Sequence, residues 1–270
     1  MSHAGGYCPN CEQYVSPPLL PLDYYQCNNC MMTIHADDLV RKRSMAMGGG
    51  GVPRSFDMGL IGYAVLYDGA QVADTVNVSC NYNSNDWLFV VVSTCGANQF
   101  PSTVTAAGTS LVQLVTAGSQ SHSRTSIYYG RAQAGGNSLS VFWTGQHPNA
   151  AVVSVLRTST AAASPILNSG GIAGNASSTS ATLGTNNSPT ASNAYCIYAV
   201  GVEAGQGTIS NVPSGYTLSN LKSTGSAQNP VDTEQAVFVQ DLTNSATVGS
   251  VTNLSGTNYY SQVMVIVGKS

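Results

Sequence analysis

Residues 86–93, with the sequence DWLFVVVS, form the most informative stretch of this chain. Large apolar residues fill positions 87–92, and a run rich in Val and aromatic residues favours a β-strand. Polar residues do not alternate with the apolar ones, so both faces of this strand are expected to be buried. The run is also far shorter than the roughly 20 apolar residues that a membrane-spanning helix needs. It therefore predicts a core strand of a sheet.

Working outward from this run, similar short apolar segments recur after residue 58 and are separated by Gly, Ser or Asn. Together with 86–93, the predicted strands cover residues 59–67, 70–79, 109–116, 124–133, 138–143, 150–157, 194–203, 216–221, 235–241 and 259–268. No 11-residue window after residue 58 has helical periodicity. Many short strands at this spacing are typical of an antiparallel sandwich or barrel. The fold class is therefore predicted to be mainly β.

The charge content excludes several classes of function. The 270 residues include 9 Lys and Arg and 12 Asp and Glu, giving a net charge of −3 and only 8% charged residues. An ordinary soluble domain has roughly 25%. The chain is thus too weakly basic to follow a nucleic-acid backbone. An uncharged surface of Ser, Thr, Asn, Gln and Gly suits proteins of extracellular or virion assemblies, and neither a nucleic-acid nor a membrane partner is expected.

The sequence after Met1, SHAGGYCPNC, lacks the basic and apolar regions of a secretory signal. Synthesis in a reducing cytoplasm is therefore expected. The chain also changes character along its length, which predicts a small domain at 1–40, a linker at 41–57 and a large domain at 58–270. The linker holds Arg41-Lys42-Arg43 and the glycines at 48–51. The basic triplet is interpreted as a solvated cluster, with contact to an acidic partner or nucleic acid as the alternative.

Two CxxC pairs are the strongest motif in the chain. Cys8 and Cys11 form the first pair, and Cys27 and Cys30 form the second after a gap of fifteen residues. This spacing matches that of structural zinc sites with four thiolate ligands. The pattern over residues 7–35 resembles the zinc-ribbon family. It predicts a structural Zn²⁺ held by these four cysteines, which would supply much of the folding free energy of so small a domain.

Two other chemistries compete with zinc at this motif. A pair of disulfides is disfavoured by cytoplasmic synthesis, and an iron centre of rubredoxin type is the second alternative. His35 could replace a ligand, but four cysteines already complete the tetrahedron, so His35 is interpreted as a polar surface residue. A closed site of this kind is structural and has no open position for catalysis.

The remaining cysteines, Cys80, Cys95 and Cys196, form no pattern, and buried thiols acting as small apolar groups are expected at Cys80 and Cys196. His122 and His147 have no carboxylate nearby in sequence. No nucleophile elbow, phosphate-binding loop or HExxH motif is present. The sequence therefore favours a protein that is not an enzyme, with no catalytic residues assigned.

Two further features bear on binding and assembly. Residues 158–202 contain no charged residue, so they are expected either to be a disordered loop or to be ordered at a subunit interface, where charge is depleted. Several aromatic residues could stack on sugars, although Tyr is also common in strands. These candidates are Tyr82, Tyr128, Tyr129, Trp143, Tyr195, Tyr198, Tyr216, Tyr259 and Tyr260.

The segments DWLFVVVSTCGANQFPSTVTAAGTSL, SIYYGRAQAGGNSLSVFW and AAVVSVLR resemble jelly-roll virion proteins of tailed bacteriophages. Residues 213–217, PSGYT, give a second Pro-Ser-Gly-aromatic-Thr segment of the kind found in them. The resemblance covers residues 59–268 and implies a jelly-roll sandwich, with no catalytic residues to transfer. A zinc ribbon before the jelly roll is not a general feature of this family, so the mode of anchoring stays open.

The function that this resemblance implies is that of a capsid decoration or cement protein. It would form a symmetric oligomer, with a homotrimer expected, and would bind the major capsid protein or other virion proteins. The expected location is the virion. The alternative is a tail or receptor-binding module that binds host glycans. A free cellular zinc-ribbon protein with an adhesive β-domain is a third possibility.

Overall fold

The computed structural model describes residues 6–7, 14–15, 24–26, 33–35, 57–67, 74–96, 100–118, 122–145, 148–182, 190–203, 208–224, 232–242, 246–247 and 251–270. The chain divides into two compact units, Met1–Ser55 and Phe56–Ser270. All regular structure in the described residues is β, and every pair of strands is antiparallel. The mainly β prediction is confirmed, and the described residues contain no helix that could span a membrane.

The first unit contains two short hairpins. Strands β1 (Gly6–Tyr7) and β2 (Tyr14–Val15) form the first, with Tyr7 opposite Tyr14. Strands β3 (Tyr24–Gln26) and β4 (Thr33–His35) form the second, with Tyr25 opposite Ile34. The pairing places six residues between the strands of each hairpin.

The second unit contains three larger sheets. Its strands are β5 (Gly59–Tyr67), β6 (Thr75–Tyr82), β7 (Trp87–Cys95), β8 (Thr103–Ala106), β9 (Thr109–Ser110), β10 (Val112–Gly118), β11 (Arg124–Arg131), β12 (Gly136–Phe142), β13 (Ala150–Thr158), β14 (Ala161–Thr182), β15 (Thr190–Ala191), β16 (Ala194–Glu203), β17 (Thr217–Ser223), β18 (Thr233–Leu242), β19 (Ala246–Thr247) and β20 (Val251–Lys269). Sheet A has the order β10-β11-β7-β13-β5, sheet B has β6-β12-β8-β9, and sheet C has β14-β20-β16-β18-β17. Strands β15 and β19 form a separate pair.

Sheet A lies between sheets B and C. Alternate residues of β7 enter two different cores: Leu88, Val90 and Val92 pack against side chains of sheet B, whereas Phe89 and Val91 pack against sheet C. This double burial confirms the expectation for residues 86–93. A third core covers the other face of sheet C, and Ile209 and Leu254 belong to it.

The second unit is built from two topological repeats, residues 59–158 and 161–269. From one edge of sheet A, the order is the first strand of the repeat (β5), the last (β13), the third (β7), the third from last (β11) and the fourth from last (β10). Sheet C has the same order within the second repeat. In both repeats the second strand pairs with the second from last, β6 with β12 and β15 with β19. The backbone just before the third strand also agrees, since Asn85 and Asn193 both have positive φ values, 72° and 49°.

The two repeats face each other through sheets A and C. Strand β10 contacts β14, and the equivalent strands β17 and β5 contact each other. In the same way β11 contacts β20, and their equivalents β18 and β13 are in contact. The third strands of the two repeats, β7 and β16, contact each other directly. Exchanging the repeats maps these contacts onto one another, as in the interface of a twofold dimer. The single chain therefore contains two repeats related by pseudo-twofold symmetry.

The uncharged stretch 158–202 is described at residues 158–182 and 190–202, and most of these residues lie in strands. Residues 161–182 form β14 at the edge of sheet C, and β16 begins at Ala194 as predicted. The alternative of a disordered loop is therefore wrong for residues 161–182. Of the predicted strand 70–79, residues 70–73 lie outside the described residues, and strand β6 covers Thr75–Tyr82. Strand β8 was not predicted.

Candidate functional site

The four predicted metal ligands, Cys8, Cys11, Cys27 and Cys30, lie outside the described residues. The strands on either side of them are described. The first CxxC pair falls in sequence between β1 and β2, and the second falls between β3 and β4. Each pair thus belongs to the connection of one antiparallel hairpin, which is the setting in which zinc knuckles occur. The zinc site stays a prediction.

The three other cysteines are buried. Burial raises the pKa of the Cys80 thiol to about 11, and it raises the pKa of Cys196 to about 12. The Cys196 sulfur lies 3.2 Å from the Tyr216 hydroxyl, deep in the core of sheet C. Since the thiolate is the reactive form, these two residues are apolar packing groups, as predicted.

His122 has a carboxylate partner that is distant in sequence. Its Nδ1 lies 2.7 Å from Oε2 of Glu203, the last residue of β16. The His122 ring also stacks on Tyr259 of β20, with centroids 3.5 Å apart and planes 7° apart. His122 belongs to the first repeat and its two partners to the second, so this cluster joins the repeats. His147, the other histidine considered, lies outside the described residues.

Cys95 completes this cluster on the side of sheet A. Its thiol forms a hydrogen bond with Glu203, and burial together with the nearby carboxylates of Glu203 and Asp232 raises the pKa of Cys95. The raised pKa keeps the Cys95 thiol protonated, whereas the thiolate is the reactive form of cysteine. Among the described residues, no group of three His, Cys, Asp or Glu side chains could hold a metal ion. The cluster links residues of both repeats, Cys95 and His122 in the first and Glu203 and Tyr259 in the second.

The centre of the interface between the repeats is polar. Thr125 Oγ1 lies 2.9 Å from Ser93 Oγ within sheet A and 2.8 Å from Ser261 Oγ of sheet C. Ser123 Oγ lies 2.9 Å from the same Ser261 hydroxyl. All four hydroxyl groups are buried. Neutral hydroxyl groups therefore satisfy one another across the two sheets.

Gln235 of β18 extends this network. Its amide nitrogen donates to Ser93 Oγ and to the carbonyl oxygen of Val152, both at 3.0 Å. Its amide oxygen accepts from the Ser154 hydroxyl, which in turn accepts from Asn220 at 2.8 Å. The side chain of Gln235 is fully buried. Local sequence gives no signal for these contacts, because the partners are separated by 66 to 142 residues.

The face of sheet B that points away from sheet A is a second polar surface, called the outer face below. Along β6, Thr75, Asn77 and Ser79 are exposed while the residues between them are buried. Across the sheet, Asn77 is opposite Ser140, and Ser140 is opposite Thr105. Ser140 Oγ donates to Asn77 Oδ1 at 2.6 Å. The outer face is thus a ladder of neutral hydroxyl and amide groups.

The aromatic residues considered for sugar stacking lie mainly in the cores. The six buried members of that set are Tyr82, Tyr128, Trp143, Tyr195, Tyr198 and Tyr216. Tyr198, for example, packs beside Phe238 with ring centroids 5.6 Å apart. These six rings are packing residues of the sandwich and are not available to a sugar.

No protein-family model, curated protein or solved structure matches this chain. Of the contacts described above, those of His122, Gln235 and the outer face are the features that sequence analysis did not find.

Proposed function

We propose that this chain is a non-enzymatic structural protein of a virus particle, most specifically a capsid decoration protein. It docks on the shell as a symmetric oligomer, a homotrimer, and stabilises the contacts between shell subunits. Its partners are copies of itself and the major capsid protein. Many weak contacts add up in such an oligomer through multivalency.

The observation that carries this proposal is the strand order shared by the two repeats. A ribbon whose first strand pairs with the last, and whose second pairs with the second from last, is the folded ribbon of a jelly roll. Sheets A and B of the first repeat have this arrangement, and sheet C with the β15–β19 pair repeats it. Jelly rolls are widespread in virus capsids, which agrees with the sequence resemblance to phage virion proteins. The same architecture also occurs in lectins, so the site chemistry has to separate the two functions.

The site chemistry favours assembly over sugar binding. The six buried rings named above cannot stack on a sugar, and the exposed face of sheet B is neutral and rich in hydroxyl groups. In the N-terminal unit, we propose that Cys8, Cys11, Cys27 and Cys30 hold a structural Zn²⁺. The two hairpins that flank these cysteines in sequence support that assignment.

The proposal is tested by the copy number of this chain in purified virus particles, measured by quantitative mass spectrometry against the major shell protein. A ratio of tens of percent is expected for a decoration protein. A few copies per particle would contradict cementing and would point to a tail module. Absence from particles would overturn both virion functions.

A further inference from the structure

We propose that four side chains at one end of the interface between the repeats form a pH-dependent latch: His122, Glu203, Cys95 and Asp232. The latch holds this end of the interface closed while the imidazole of His122 is protonated, and it loosens when the imidazole loses its proton. The inference concerns the contact between the two repeats of one chain, so it does not depend on the proposed virion function.

The latch residues occupy two pairs of equivalent positions in the repeats. Cys95 is the last residue of β7 and Glu203 is the last residue of β16, which are the third strands of the two repeats. His122 lies just before β11 and Asp232 just before β18, which are the third strands from last. The pseudo-twofold symmetry of the repeats thus collects the four side chains at one end of the interface.

The contacts of the latch cross from one repeat to the other. His122 Nδ1 lies 2.7 Å from Glu203 Oε2, and the His122 ring stacks on Tyr259 with centroids 3.5 Å apart. The Cys95 thiol forms a hydrogen bond with Glu203, and the negative charge of Asp232 also acts on this thiol. Both latch residues of the first repeat are therefore in contact with Glu203 of the second.

Burial makes the charge balance of the latch depend on one proton. The side chain of Glu203 is 13% exposed and Asp232 is 1% exposed, so an unbalanced negative charge on them is costly. A protonated imidazole of His122 supplies a positive charge directly to the Glu203 carboxylate. Arg124, the cation nearest to His122 in sequence, lies over the Phe100 ring, 4.6 Å from its centroid. Protonation of His122 is therefore what balances the latch.

The direction of the effect follows from the signs of these charges. Imidazole is the side chain that loses its proton between about pH 5 and 8. A histidine that gains an anionic partner on folding contributes stability that is present while it is protonated and is lost as the pH rises. Above this range, Glu203 and Asp232 remain as largely buried charges of the same sign, which favours entry of water between the repeats. The latch is therefore tighter in mild acid than in mild base.

Hydrogen exchange of the full-length chain at about pH 5.5 and about pH 8 tests the latch, because these values bracket the titration of imidazole. Exchange is followed by mass spectrometry and corrected for the intrinsic rate of each amide at that pH. Protection of residues 93–95 and 201–203 should fall about fivefold at the higher pH, the size expected for loss of one partly exposed ion pair. Protection of residues 195–198, at the other end of β16, should stay unchanged.

His122→Gln should remove the difference between the two pH values, because an amide keeps hydrogen-bonding groups in place and does not titrate. Asp232→Asn removes one of the two negative charges, so it should reduce the loss of protection at the higher pH. His35→Gln is the matched control, since it makes the same substitution in β4 of the first unit and should keep the wild-type change.

Three results would overturn the inference. The first is a wild type whose corrected protection at residues 201–203 is equal at both pH values. The second is a His122→Gln variant that keeps the wild-type change. The third is an equal loss of protection at residues 195–198, since it would report unfolding of the whole unit and not opening of one end.

Discussion

Nδ1 of His122 lies 2.7 Å from Oε2 of Glu203, and this contact joins the segment just before β11 in the first repeat to the end of β16 in the second. The two residues are 81 positions apart. Burial raises the pKa of Glu203 above its ordinary value of 4.5, although hydrogen bonds with His122 and Cys95 and the charge of the imidazole act in the opposite direction. The contact therefore couples the interface between the repeats to pH.

Glu203→Gln should change the pH dependence of stability. Because the pKa of Glu203 is raised on folding, the folded state holds its proton more tightly than the unfolded state does. The stability that Glu203 contributes is then fully present below about pH 4.5, and it is lost as the pH rises through the pKa of Glu203 in the folded state. The wild type should thus lose stability relative to the Gln variant on going from about pH 4 to neutral pH. Urea unfolding at a series of pH values measures this, and two parallel curves would contradict it.

Asp57→Asn should give a pH dependence of the opposite sign. Burial raises the pKa of Asp57, but hydrogen bonds from Thr158, Ser159 and Thr160 outweigh burial and hold the pKa below its ordinary value of 3.8. The contribution of Asp57 to stability is therefore present above about pH 4, and it is lost as the pH falls through the pKa of Asp57 in the folded state. Asp57 also anchors the connection between the repeats, since its Oδ2 lies 2.7 Å from the Ser159 amide nitrogen.

We expect Asp57→Asn to lower the free energy of unfolding at pH 7 by about 1.5–3 kcal/mol, the range for hydrogen bonds to charged groups. The loss should shrink as the pH is lowered below about 4, because the wild-type carboxyl is then protonated as well. The same urea series measures both effects. A loss that is equal at all pH values would mean that the charge of Asp57 does not contribute.

The sequence predicted the strands that are apolar on both faces and could not predict their partners. Strand β16 has the predicted bounds, 194–203, and is buried on both faces, as a continuous apolar run favours. Strand β5 also has its predicted bounds, 59–67, although it is an edge strand on which Tyr63 and Val65 are exposed. Strand β14 was missed because Ala, Ser and Gly on an edge strand give no apolar pattern. Strand β14 forms because it pairs with β20, which is distant in sequence.

The sequence did not predict the two topological repeats, although it contains two local signals for them. Asn85 and Asn193 precede the third strand of each repeat, where a positive φ favours Asn. Residues 101–102 and 213–214 are both Pro-Ser and follow that strand in each repeat. The contacts of Gln235 and His122 could not be predicted, since they depend on how the two repeats pack.

Gly201→Ala should destabilise the interface between the repeats. A Cβ atom at Gly201 would collide with Thr125 Oγ1 and would lie 2.9 Å from Ser93 Oγ. Both hydroxyl groups belong to the buried network, so they cannot move away without breaking hydrogen bonds. Overpacking of this kind costs about 1–3 kcal/mol. Thermal or urea unfolding of the full chain measures the loss.

Gly59→Ala is the control for this substitution. Gly59 also lies in a strand, β5, but a Cβ atom there would have no atom within 4 Å. Its replacement by Ala should leave stability unchanged or raise it by about 0.4–1 kcal/mol, because Ala loses less backbone entropy on folding. Equal losses for the two variants would show that the hydroxyl network is not what excludes a side chain at Gly201.

Cys27→Ser tests the proposed metal centre. The purified wild-type chain should contain one tightly bound Zn²⁺, and removing one of four thiolate ligands should abolish that binding. Metal content is measured by atomic emission after extensive dialysis. Cys196→Ala is the matched control, because Cys196 is a fully buried thiol in the core of sheet C and not in a CxxC pair. It should keep its zinc and lose stability instead.

Zinc removal should act on the N-terminal hairpins and not on the large β unit. A domain this small has little apolar core, so binding of the metal supplies much of its folding free energy. A strong chelator should therefore make bonds within residues 1–55 susceptible to protease while residues 56–270 stay protected. Since the strand pairs β1–β2 and β3–β4 flank the cysteines in sequence, amide exchange should rise in these four strands first. Bound zinc that survives Cys27→Ser, or protection that is unaffected by the chelator, would exclude a four-thiolate structural site.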